Sequence, residues 1–275
     1  MKRLLQIEKI KALSYPAFRT LMIIHFVLFL LVILVASRIE ISFPGFSMSK
    51  LYEFPFVWDF FPWIASWFNI FLGIVMILLV GNEFSYRTYR QNYMNGLSRS
   101  ELVNGKLLLI LVVAVYTLLL VTISGLIAGL INTGEDVSGK LLQNMDILGV
   151  YFVQALAYLS LGMLFAVIFR NNALSIILFI LYFFPIEPIL RAFFPVQVRA
   201  FFPIKIISNL TPTPEFLTLT SESSYVNANG TSQLDFSQMG LLPEKLSMGT
   251  TVLVAVAYLG IFVLASHLIM RRRNL

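Results

Sequence analysis

The 275-residue chain contains no cysteine. That excludes a disulfide framework, a thiolate nucleophile and a cysteine metal site. It has two histidines, His25 and His267, far apart in the chain. A metal centre needs more convergent ligands than that. Charge is scarce: Asp, Glu, Lys and Arg make up 12% of the residues, against roughly 25% in a soluble domain. No GxxxxGK run followed by Ser or Thr occurs, so the chain has no P-loop for ATP. GxSxG and HExxH are absent too, which removes the hydrolase elbow and the zinc-protease helix. No apolar run carries the acids and bases of an ion-coupled transporter, or the polar stripe of a channel. The expectation is a non-enzyme, with no catalytic residue, metal or cofactor site of its own.

What the chain has in excess is apolar length. Hydrophobic residues make up 58%, and mean hydropathy is +0.84. Six apolar stretches run approximately Thr20–Ala36, Phe61–Val80, Leu107–Ile131, Leu148–Phe169, Ala173–Leu190 and Thr250–Met270. Each has the roughly 17–25 residues that a membrane span requires. None alternates like a barrel strand, so residues 1–275 read as one all-α integral membrane domain with six transmembrane helices. Pro185 and Pro188 are expected to break the end of the fifth.

Orientation comes from Lys and Arg. With the N-terminus inside, the inner segments hold Lys2, Arg3, Lys9, Lys11, Arg19, Arg87, Arg90, Arg99, Lys106, Arg170, Arg271, Arg272 and Arg273. The outer ones hold Arg38, Lys50, Lys140, Arg191, Arg199, Lys205 and Lys245. That is 13 against 7, which places both termini in the cytoplasm. The formal charge of +6 thus reflects orientation, and no nucleic-acid partner is expected. Residues 1–19 set Leu4, Ile7, Ile10 and Leu13 against Lys2, Arg3, Lys9 and Lys11. They read as an amphipathic helix in the lipid interface, ended by Pro16.

The outer segments are aromatic. Trp58, Trp63 and Trp67 suit an interfacial belt. Residues 191–249 form the longest region without a span. Phe-Phe-Pro recurs at Phe183–Pro185, Phe193–Pro195 and Phe201–Pro203. The stretch is too apolar for a free loop and too broken for a span, so it reads as re-entrant or interfacial helices. Beyond it, Thr218 to Gln238 reads as a mobile external loop. Its Asn229-Gly230-Thr231 sequon matters only in a eukaryotic secretory pathway. Glu187 either lines an external gate or pairs with Arg191 one turn later, and pairing is favoured because an unpartnered carboxylate is costly there. Asn69 and Gln154 read as hydrogen-bonding links between helices. His25 reads as a buried histidine with one hydrogen bond, and His267 as interfacial.

One polar, basic run stands apart: Asn82 to Lys106, enclosed between two spans. Tyr86, Tyr89, Tyr93 and Leu97 recur at helical spacing, with Arg87, Arg90 and Gln91 on the other side. Gly96 suits a left-handed helix end. Ser98 and Glu101 fit a capping box that starts a new helix. The expectation is a cytoplasmic elbow of two short arms; the same pattern also suits an interfacial loop helix that anchors two spans.

With these residues in view, the chain resembles the six-helix permease subunits of ABC-2 type ABC transporters, especially the bacitracin- and sodium-exporter-like permeases of bacteria. The matching residues are Glu83, Thr88, Ser98-Arg99 and Gly105-Lys106, set in NEFSYRTYRQN and SRSELVNGK. The wording is most similar to permeases from the Bacteroidetes, as is the run from Pro203 to Leu210. Arg87 departs from it, where many members have Gly, and so does Gly96-Leu97, where many have Pro. The resemblance implies that 82–106 holds a coupling helix seated in a separate ATP-binding subunit. Two such subunits, which bind ATP and Mg, would drive two permeases. Coupling would fall to Glu83, Tyr86, Arg87, Thr88, Tyr89, Arg90, Tyr93, Ser98, Arg99 and Glu101. An external gate would use Phe184, Glu187, Phe193, Phe194, Phe201 and Phe202. The implied function is export of a hydrophobic or amphipathic substrate from a bacterial inner membrane. The rival reading is a non-transporting scaffold or sensor subunit of an ABC-like complex.

Overall fold

The structure, a computed structural model, describes residues 2–39, 42–43, 46–134, 137–211, 213–214 and 246–272. Arg273 and the expected loop Thr218–Gln238 with its Asn229 sequon lie outside them. The described chain is almost wholly helical, apart from an antiparallel pair of two-residue strands, β1 (Ser42–Phe43) and β2 (Phe46–Ser47).

Among the described residues five helical runs are long and apolar enough to cross a membrane. They are α2 (Pro16–Ala36), α6 (Arg99–Asn132), α8 (Ile147–Phe169), the run Asn172–Ala192, and α13 (Met248–Arg272). A sixth is a pair, α3 (Val57–Trp67) and α4 (Asn69–Ser85), bent by 44°. All six apolar stretches therefore become helix, but the second is not one straight helix over 61–80. Its break at Phe68 follows from a separate aromatic core. Phe29, Tyr52, Phe54, Trp58, Phe61 and Tyr151 cluster together away from the main bundle core. Trp58 is fully buried, and its Nε1 donates to the Leu141 carbonyl at 2.7 Å. It is thus a core residue and not part of an interfacial belt, whereas Trp67 is exposed.

The remaining elements are short. α1 (Lys2–Ser14) precedes α2, separated from it by extended Tyr15 and then Pro16, which sits comfortably in a first helical turn. Arg19 accordingly belongs to α2. α5 (Thr88–Met94) lies between α4 and α6, and α7 (Val137–Lys140) before α8. α9 (Asn172–Leu181) is capped by the Asn171 side chain, which accepts from Leu174 N at 3.1 Å. Pro185 does not end this run. A π-helical turn at Tyr182–Ile186 absorbs it, and α10 (Glu187–Ala192) continues. α11 (Val196–Arg199) and α12 (Pro203–Ser208) follow as broken pieces.

α4 and α8 pack over the largest contact of the bundle. They cross at two glycines: a Cβ added to Gly162 would stand 2.4 Å from the Gly73 carbonyl oxygen. Small residues are what let helices in a membrane approach this closely. Near this crossing Asn69 Nδ2 donates to Gln154 Oε1 at 3.2 Å, the interhelical link expected of both. Gln154 Nε2 also donates to the Ile207 carbonyl at 2.9 Å and to Thr211 Oγ1 at 3.0 Å. That fixes the C-terminal end of α12. The buried Glu187 carboxylate fixes the other end, accepting from Ile204 N at 3.0 Å and Lys205 N at 2.9 Å. The expected Glu187–Arg191 ion pair does not form among the described residues. Backbone amides of a first helical turn satisfy the carboxylate instead. His25 is buried among Phe68, Phe71 and Tyr116, and its Nδ1 has no hydrogen-bond partner among the described residues. The single bond expected of it is absent at that atom.

Candidate functional site

The elbow lies at the end of the bundle where both chain ends meet. Arg99 Nη1 donates to the Arg271 carbonyl, and Lys106 contacts Glu8. Its second arm starts as expected. Ser98 N donates to Glu101 Oε2 at 2.8 Å, and Glu101 N donates to Ser98 Oγ at 3.2 Å, a complete capping box. Gly96 has φ +92°, the left-handed conformation that glycine adopts without strain.

The first arm differs from the expectation. Tyr86 ends α4, and Arg87 interrupts the helix with φ 56° and ψ 17°. α5 begins only at Thr88, whose Oγ1 donates to the Glu83 carbonyl at 3.4 Å. The tyrosine stripe therefore divides. Tyr89 is buried, stacked on Phe84 at 5.4 Å between centroids. Burial pushes its hydroxyl up to about 12. Tyr86 is 70% exposed, Tyr93 43% and Met94 75%. Arg87 and Arg90 are exposed beside them. Leu97 turns inward with Tyr89. Arg99 lies over the Tyr93 ring at 5.5 Å. Met94, unremarked in the sequence, joins this outer rim, and Tyr89 leaves it.

Arg87 occupies a left-handed conformation that disfavours any residue with a Cβ. Arg87→Gly is expected to raise stability by up to about 1 kcal/mol, after the entropy that glycine gains in the unfolded chain. Thermal unfolding of the detergent-purified variant measures it.

Glu83 does not face outward either. Its Oε1 is shared by Lys11 Nζ at 2.9 Å and Lys106 Nζ at 2.7 Å. Lys11 also pairs with Glu8 Oε1 at 3.0 Å, and Lys106 with Glu8 Oε2. The Lys106 side chain is 2% exposed, that of Glu8 5% and of Glu83 8%. This quartet binds α1 to the ends of α4 and α6, and its net charge is zero. Buried charges are tolerated only when paired in this way. The sequence offered one sign of it: Glu8 is the lone acid in a basic helix, three residues before Lys11.

A cleft of about 350 Å³ opens beside the quartet, between α1, the end of α4, α5 and the start of α6. Glu83 Oε2, Asn82 Nδ2 and Asn92 Nδ2 belong to residues lining it and have no hydrogen-bond partner among the described residues. Asn82 Oδ1 is engaged, accepting from Asn172 Nδ2 at 2.6 Å.

The expected gate residues lie at the opposite end. Phe184 is 65% exposed, Phe193 81%, Phe194 45% and Phe201 39%, while Phe202 is half-buried against Phe194 at 5.2 Å. Glu187 is buried beneath them as the cap of α12. Burial, with Arg191 adding, holds the Lys205 ammonium below its ordinary value. Among the described residues no group of three or more His, Cys, Asp or Glu side chains is placed to hold a metal ion.

No curated protein matches the chain. Residues 4–186, well over half of it and including most of α1, the elbow and the quartet, match the model of a family described as ABC-2 family transporter protein. The chain therefore belongs to the ABC-2 family and is the multi-pass membrane permease component of an ABC transporter.

Proposed function

We propose that this permease is driven by separate ATP-binding subunits through the outer rim of the elbow. With a second permease it exports a hydrophobic or amphipathic substrate across a bacterial cytoplasmic membrane. The rim carries the reading: Tyr86, Arg87, Arg90, Tyr93 and Met94 stand exposed together at the end of the bundle that holds both termini. Aromatic and Arg side chains are the residue types that dominate protein interfaces. The Lys and Arg distribution supports a cytoplasmic position for that end, where ATP is. The capping box at Ser98 and Glu101 stiffens the joint that would pass on the motion. ATP and Mg belong to the partner, since this chain has no P-loop. The exposed phenylalanines at the far end suit an apolar cargo and an external gate.

The test is co-purification from the native membrane. The unaltered chain is expected to recover an ABC ATPase at defined stoichiometry. Arg90→Ala, Tyr93→Ala and Met94→Ala combined are expected to weaken that association about 100-fold, the scale of an interface hot spot. Undiminished recovery of the ATPase by the triple variant overturns the assignment of the rim. ATP-dependent movement of cargo into inverted vesicles separates a permease from a scaffold or sensor, which would bind the ATPase and move nothing.

A further inference from the structure

We infer that the cleft between α1, α4, α5 and α6 is a binding site for a phospholipid with a primary-amine headgroup, held as a resident ligand. This site adjoins the proposed ATPase rim, with which it shares Tyr86, and it is separate from the exposed phenylalanines at the far end.

Charged and apolar residues meet at the cleft: Lys106 is followed directly by the apolar run of α6, and Glu83 stands at the end of that of α4. This is the depth at which headgroups meet acyl chains. The lining matches that border. Leu79 and Leu109 supply an apolar floor, while Glu83, Asn82, Asn92 and Lys11 supply a polar wall. A lipid fits such a two-faced cleft better than a soluble ion does.

Chemistry then selects the headgroup. Glu83 spends Oε1 on two lysines, and its Oε2 accepts nothing among the described residues. That anionic oxygen lacks a donor, and a charged N–H donor such as an ammonium satisfies it best. Asn82 Nδ2 and Asn92 Nδ2 are donors without acceptors. They require an acceptor, as a phosphate provides, and Lys11, the most exposed of the quartet, lies near to balance its charge. One headgroup carries both needs within a few bonds: an ammonium linked to a phosphate. Choline has no N–H to give, and glycerol offers only neutral O–H donors, which bind a carboxylate more weakly than an ammonium does. A buried acceptor discriminates sharply against a ligand that lacks the donor.

The experiment is native mass spectrometry of the purified full-length chain. It is titrated with phosphatidylethanolamine, phosphatidylcholine and phosphatidylglycerol of one acyl composition. Phosphatidylethanolamine is expected to bind about ten-fold or more tightly than either of the others. Glu83→Gln is expected to abolish the preference. Because Glu83 also serves the quartet, Asn92→Leu is the second variant: it lies outside the ion pairs and is expected to lose the preference while melting like the native chain. Equal binding of the three lipids overturns the inference, and so does an Asn92→Leu variant that still prefers phosphatidylethanolamine. Soluble phosphoethanolamine is the final arm. Displacement of bound lipid by it at equal concentration assigns the cleft to a soluble zwitterion and overturns the lipid assignment.

Discussion

Lys106→Ala is expected to unfold or strongly destabilise the protein, at a cost of about 3–5 kcal/mol, because it strands two buried carboxylates. Lys106 Nζ is the only buried cation of the quartet, and it serves both Glu8 and Glu83. After its removal Lys11 alone must balance both acids, from a side chain that is 27% exposed. Thermal unfolding in detergent, followed by size-exclusion recovery, measures the loss. A second variant separates charge from packing. Glu8→Leu, Glu83→Leu and Lys106→Met together remove the buried charges and keep the volume. This triple variant is expected to recover most of the stability, since a buried ion network is often matched by apolar residues of similar size. Lys11 then extends its ammonium into water. If Lys106→Ala melts within about 1 kcal/mol of the native protein, the quartet does not hold α1 to the bundle.

Gly162→Ala is expected to cost about 3 kcal/mol for one added methyl group. The new Cβ would stand 2.4 Å from the carbonyl oxygen of Gly73, and the neighbouring contacts are backbone atoms too. A side chain would rotate aside; a backbone oxygen in mid-helix does not. α4 and α8 must move apart, and the Asn69–Gln154 hydrogen bond beside the crossing lengthens with them. Gly149→Ala in the same helix is the control. Nothing lies within 4 Å of a Cβ there, so that change is expected to be neutral or to stabilise by about 0.5–1 kcal/mol. Equal melting temperatures for the two variants would remove the close crossing as an element of stability.

Local features of the chain were legible, and distant partnerships were not. The Ser98–Glu101 cap and the left-handed Gly96 depend on residues a few positions apart, and each formed. The tyrosine stripe failed for an equally local reason. Spacing of three and four puts residues on one face only if the helix is unbroken, and Arg87 breaks it. Tyr86 therefore caps α4 while Tyr89 lies in α5, and the two face different surroundings. Trp58 was misplaced because a Trp near a span end suits both an interface and a core, and only its Leu141 partner decides. Glu187 finds its donors 17 and 18 residues away, beyond any helical spacing. Glu8 and Lys106 lie 98 residues apart. Their charges served to orient the chain in the membrane, and nothing in the spacing shows that they meet.

The unbroken length of α6 has a mechanical consequence. Its 34 residues make a rod about 51 Å long, well beyond the roughly 30 Å of hydrocarbon it crosses. One end is the capped elbow; the other packs Gly125 and Gly129 against Trp58 and Phe54. No proline interrupts it between Arg99 and Asn132. A helix without such a break would pass on tilt imposed at one end, as a lever does. A swing of about 5° imposed at Ser98 carries the far end through about 4 Å at this length. The aromatic cluster around Trp58 is where such a swing would arrive.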